Sequence, residues 1–161
     1  MHKSRRIGIN RRAVVLAFAS VVGSAGVVVH AQAQKPYPIF TLEHFVSAMK
    51  TTGQAFAAVN ASLARNEGED AKAFLAISRE RLATTITFWR DRKRDDAVAM
   101  LRDGLAKMDE LDVALSAETI DPTEVGARAK RVAAACGACH AIYREQDPAT
   151  RTYRLKSGSA P

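Results

Sequence analysis

Apolar residues recur at steps of three and four along most of the chain, the spacing of helices with one buried face. Four such stretches follow one another. The first runs from about Leu42 to Leu63, with Thr41 as N-cap and Leu42, Phe45, Val46, Met49, Gly53, Phe56, Val59 and Leu63 near one face. Arg65-Asn66-Glu67-Gly68 interrupts it. The second covers about Glu69 to Arg90, with Phe74, Leu75, Leu82, Ile86 and Trp89 inward. The third covers about Asp95 to Ser116, striped by Val98, Leu101, Leu105, Met108, Leu111 and Leu115. Asp91-Arg92-Lys93-Arg94 divides the two without Gly or Pro, so one continuous helix is the alternative there.

The fourth stretch has the sharpest start. Asp121 offers an N-cap, Pro122 takes the first helical position and Glu124 the third. Val125, Ala129, Val132, Cys136, Cys139 and Tyr143 share a face, and the helix is expected to run to about Glu145, before Pro148. No alternating apolar run and no Asn-Gly or Asp-Gly turn signal suggests a strand. The expectation is an all-α antiparallel four-helix bundle over residues 41–147. An extended, proline-bearing lead-in (34–40) precedes it and a flexible polar tail (148–161) follows.

Charge changes the picture only at the N-terminus. The 161 residues carry a formal net charge of +7. Five basic residues and no acidic one fall within residues 1–33, which leaves 19 basic against 17 acidic in the rest. The remainder mixes its signs along helices, as solvated surfaces do, which argues against a nucleic-acid partner. Residues 1–33 read instead as a cleavable signal peptide. A basic start precedes an apolar stretch from Ala13 to Val29, and Ala31-Gln32-Ala33 supplies small residues for cleavage. The apolar run falls just short of the usual spanning length of about 18–20 residues, though an N-terminal membrane anchor is the alternative. Arg5-Arg6 and Arg11-Arg12 lack a following Phe-Leu and read as ordinary basic flank rather than a twin-arginine signal. A periplasmic location is expected.

The chemistry is concentrated in Cys136-Gly137-Ala138-Cys139-His140, a Cys-x-x-Cys-His motif that holds both cysteines of the chain. On a helix the three functional side chains stand at i, i+3 and i+4 and face the same way. Two sulfurs can then add to the two vinyl groups of one porphyrin, and the imidazole can reach its iron. Three other uses compete. A thioredoxin-like pair needs a strand before the helix, a disulfide at i, i+3 on a helix is geometrically poor, and zinc needs a fourth ligand. Haem attachment, outside the cytoplasm, is the reading the motif and the export signal favour together.

The segment Cys136-Gly137-Ala138-Cys139-His140-Ala141-Ile142-Tyr143-Arg144 resembles the Cys-x-x-Cys-His-x-x-Tyr-Arg hallmark of class II c-type cytochromes, the cytochrome c prime group. The likeness covers roughly residues 40–146. It implies one covalent haem c within the bundle, thioether links at Cys136 and Cys139, and His140 as proximal iron ligand. It also implies that Arg144 meets a haem propionate or covers the imidazole; the plainer role of Arg144 is a solvated cation. In the low-spin branch of that family a Met of the first helix is the sixth ligand. Met49-Lys50-Thr51-Thr52-Gly53 resembles that segment, although Phe45 stands where those relatives carry Arg.

Two functions follow from the two states of the sixth position. With Met49 bound, the protein shuttles single electrons among redox partner proteins. With the position open, it binds small gases such as nitric oxide or carbon monoxide. A third reading is a haem-free helical module with a redox Cys pair. His44, five residues from Met49, falls on a different side of the helix, and Met100 and Met108 read as structural. Met49 itself has core packing as its ordinary role. No nucleophile–base pair suggests an enzyme. The resemblance also raises a homodimer, through the exposed faces of the first two helices.

Overall fold

The structure is a computed structural model and describes residues 41–159. The signal peptide expected over 1–33, the lead-in over 34–40 and the last two residues lie outside the described residues. The chain is mostly helical: α1 (Leu42–Ala64), α2 (Gly68–Thr84), α3 (Ile86–Asp91), α4 (Asp95–Leu115) and α5 (Pro122–Tyr143), then β1 (Arg144–Gln146) and β2 (Tyr153–Leu155). None of the described helices is long and apolar enough to cross a membrane.

Local signals set most boundaries. The Thr41 hydroxyl accepts from the His44 N–H at 3.2 Å and opens α1. Asp121 accepts from the Thr123 N–H at 2.8 Å and opens α5, with Pro122 where its missing N–H costs nothing. Asn66 ends α1 in the left-handed region, at φ 58°, while the Glu67 N–H returns to the Ser62 carbonyl. Lys93 repeats the device after α3, at φ 54°, with the Arg94 N–H on the Trp89 carbonyl. Residues 91–94 are therefore a true break, not a continuous helix.

The helix expected over 69–90 is split at Thr85. The hydroxyls of Thr84, Thr85 and Thr87 donate to the carbonyls of Arg81, Leu82 and Thr84, and so compete with the helical ladder within one turn.

α1 packs on α2, α2 on α4, and α4 on α5, with α3 against α4 and a smaller contact between α1 and α5. Val59, Leu75, Phe88, Trp89, Met108, Leu111, Val125 and Val132 form the fully buried centre. The inner face of α1 is rotated from the expected one. Phe45, Ala48, Thr52, Ala55, Val59 and Ser62 are buried, whereas Leu42 and Val46 are about half exposed, at 51% and 46%. The small residues let α2 approach closely, and the Ser78 hydroxyl donates to the Thr52 carbonyl at 3.0 Å across the seam.

The tail differs most from expectation. α5 stops at Tyr143 because Arg144 turns to extended backbone, at φ −114° and ψ 140°. Residues 144–146 then pair antiparallel with 153–155, Arg144 opposite Leu155. Asp147 closes the loop, its carboxylate accepting from the N–H groups of Ala149 and Thr150. Arg151 turns the tip at φ 58°. The strands have three residues each, too short for alternation to show in the sequence.

Candidate functional site

Cys136, Cys139 and His140 occupy the last two turns of α5. The capped start of that helix fixes its phase, and its buried stripe of Val125, Ala129, Val132 and Tyr143 turns the cysteines toward the core. Both cysteines are half-buried, packed against the core cluster and free of any disulfide. Burial pushes the Cys136 thiol up. Burial, then the neighbouring Cys136 and the Asp96 carboxylate, pushes Cys139 up to about 11. Both are therefore protonated thiols at neutral pH. His140 is also half-buried. Burial and the Arg144 charge lower its pKa, which favours the neutral imidazole that ligates metals.

Four aromatic rings gather at this end of the molecule. Phe45 of α1 stacks on Phe88 of α3 at 4.2 Å between centroids. Trp89 meets Phe45, Phe88 and Tyr143 at 5.3, 5.2 and 4.7 Å. Tyr143, three residues after His140, is buried with its hydroxyl donating to Asp96 and accepting from Arg94 at 2.9 Å. Arg94 grips Asp96 with two nitrogens, at 3.0 and 3.1 Å, and the Ser159 carbonyl with a third at 3.0 Å. One cluster thus ties the end of α5, the start of α4 and the end of the described chain. The sequence does not reveal it: Arg94 and Asp96 read there as part of a solvated charged break.

The remaining candidates are placed as follows. Met49 lies one turn after Phe45 on α1, half-buried against the core. Arg144 caps α5 in extended backbone, so it does not continue the helix as expected. Its guanidinium sits 4.1 Å from the centre of the Tyr153 ring. The His44 Nδ1 is engaged with the Thr41 hydroxyl at 2.7 Å, at the helix cap. Met108 is fully buried and Met100 partly so, both against the core.

A cavity of about 410 Å³ lies elsewhere, lined by Leu63, Asn66, Gly68, Ile120, Pro122 and Val125 among others. Val125 and Cys136 are about 16 Å apart along α5, and no cysteine or histidine lines the cavity, so it is separate from the motif. Among the described residues, no three His, Cys, Asp or Glu side chains gather as ligands of one ion. The motif's donors stand along a helix, not around a point. Two thiols and a neutral imidazole in that order suit a flat ligand with two electrophilic carbons and a central metal. No family model, curated protein or solved structure matches this chain.

Proposed function

We propose that the chain is an exported c-type cytochrome that transfers single electrons, built as an antiparallel four-helix bundle around one covalent haem c. The observation that carries this reading is the state of the motif. Cys136 and Cys139 are free thiols on the core-facing stripe of α5, next to a half-buried His140 three residues before Tyr143, whose ring joins the aromatic cluster. Each thiol would give its sulfur to one carbon of a vinyl group and its proton to the other, so attachment needs no net oxidant. His140 would supply the proximal nitrogen. The haem, when bound, supplies an iron centre that gains and loses one electron.

The chain's own residues would do the rest. Tyr143, tied to Asp96 and Arg94, holds the last turn of α5 and so the aim of His140. The ring cluster of Phe45, Phe88 and Trp89 excludes water from the same end. Met49, on the turn after Phe45 and half-buried, is the residue that could hold the other side of the iron, and a soft thioether there would raise the reduction potential. If Met49 stays unbound, the open position suits small gases instead.

Haem staining after denaturing electrophoresis tests this reading. Protein matured with a cytochrome c assembly system should give a stained band that persists through denaturation. An unstained band of full yield would remove both the electron-transfer and the gas-binding forms and leave a haem-free module with a Cys pair.

A further inference from the structure

Among the described residues, the segments at the two ends of α5 carry opposite charge. At the motif end, residues 90–96 and 141–159 are joined by the hydrogen bonds of Arg94 to Tyr143 and Ser159. Together they hold eight Lys and Arg against five Asp and Glu, a net of +3. At the other end, residues 62–72 and 116–126 meet around the cavity. They hold two basic residues against six acidic ones, a net of −4. The 22 residues of α5 separate the ends by about 33 Å. That is several Debye lengths of about 8 Å at physiological salt, so each end presents its own field to a partner.

The basic end also has the make-up of a contact surface. Its carboxylates are largely engaged within the chain: Asp96 by Arg94 and Tyr143, Glu145 by Arg154, Asp147 by two backbone N–H groups. Lys93 and Arg151 are exposed at the tips of two tight turns, both at positive φ. Tyr153 is 57% exposed with the Arg144 guanidinium over its ring, and Tyr and Arg are the residues enriched at protein interfaces. The hairpin is fastened to the motif helix by Lys156. Its N–H donates to the Tyr143 carbonyl at 2.9 Å and its Nζ to the Ala141 carbonyl at 2.7 Å. The base of the hairpin is therefore fastened within a turn of His140.

We infer that the hairpin and the 91–94 turn form the docking face for an acidic protein surface. A lipid surface fits less well. Segments that bind anionic lipid carry clusters of about four to eight Lys and Arg, whereas here five carboxylates lie among the eight cations. The inference names the class of partner for the function proposed above, and takes its purpose from that function.

Amide shift mapping of the full matured chain with poly-L-glutamate as probe tests it. Shifts should concentrate at residues 90–96 and 141–159 and fade between about 50 and 200 mM NaCl. The double variant Lys93→Glu/Arg151→Glu should weaken binding by about tenfold or more, while Glu69→Lys at the far end should not weaken it. Shifts spread over the helix flanks, an unchanged affinity in the double variant, or binding to phosphatidylglycerol vesicles but not to polyglutamate would overturn it. A matured chain without haem that still gives this shift map would defeat the proposed function alone. A haem-bearing chain without it would defeat the docking face alone.

Discussion

The Tyr143 hydroxyl, in the last turn of the motif helix, donates a hydrogen bond to the Asp96 carboxylate at the start of α4. The two residues are 47 positions apart in the chain. Arg94 bonds to both, and Tyr143 is 2% exposed, so this small polar cluster rests on the packed core beneath the motif. Tyr143→Phe keeps the ring against Trp89 and removes only the hydroxyl. We expect a loss of about 1–3 kcal/mol, because a part-buried bond to a charged group disappears. Urea unfolding of the variant checks it, and an unchanged midpoint would show that the hydroxyl bond contributes nothing net.

Asp96 gives the protein an acid-side dependence. Its hydrogen bonds from Arg94 and Tyr143 hold its pKa well below the ordinary carboxylate value of about 4. A carboxylate with a depressed folded-state pKa contributes stability that is present above its unfolded pKa. That stability is lost as pH falls through the folded one. Stability should therefore fall below about pH 4, and Asp96→Asn should flatten that part of the profile relative to wild type. Urea midpoints taken from pH 7 to pH 2 measure this; parallel profiles for the two proteins would refute it.

Ser62 is fully buried at the inner face of α1, and its hydroxyl has no hydrogen-bond partner among the described residues. An unpaired buried hydroxyl costs free energy, and Ala is the better helix former. Ser62→Ala should raise stability by about 1 kcal/mol, read as a higher thermal midpoint. A lower midpoint would mean that the hydroxyl is satisfied in solution.

Met49 decides between the two haem-bearing functions. If its sulfur is the sixth ligand, the ferric wild type is low-spin and Met49→Ala converts it to high-spin. Carbon monoxide then binds the reduced variant without displacing a protein ligand. Absorption and paramagnetic resonance spectra make the comparison. A high-spin wild type, unchanged by Met49→Ala, would assign the protein to gas binding.

Much of the architecture was legible where large apolar residues carry the stripe. α4 and α5 show their inner faces openly, through Leu101, Met108 and Leu111 and through Val125 and Val132. α1 does not, because its buried face runs through Ala48, Thr52, Ala55 and Ser62, and small residues leave little hydrophobic contrast. The split at Thr85 comes from three hydroxyls acting together, which a count of apolar positions misses. The hairpin is not legible in the sequence because three-residue strands carry no period. It is tied down by long-range bonds, Lys156 to the carbonyls of Tyr143 and Ala141 and Arg94 to the Ser159 carbonyl. For the candidate site, Cys136, Cys139 and His140 were legible because their relationship is local, one turn of one helix. The Arg94–Asp96–Tyr143 cluster was not, since its members meet only through the fold.

The most direct test of covalent haem at Cys136 and Cys139 is the intact mass of the chain purified after expression with a cytochrome c maturation system. The expected mass is that of the processed polypeptide plus one haem, with loss of that increment in a Cys136→Ser/Cys139→Ser double variant. A wild-type polypeptide of unmodified mass, recovered folded from cells that mature a control cytochrome, would contradict it.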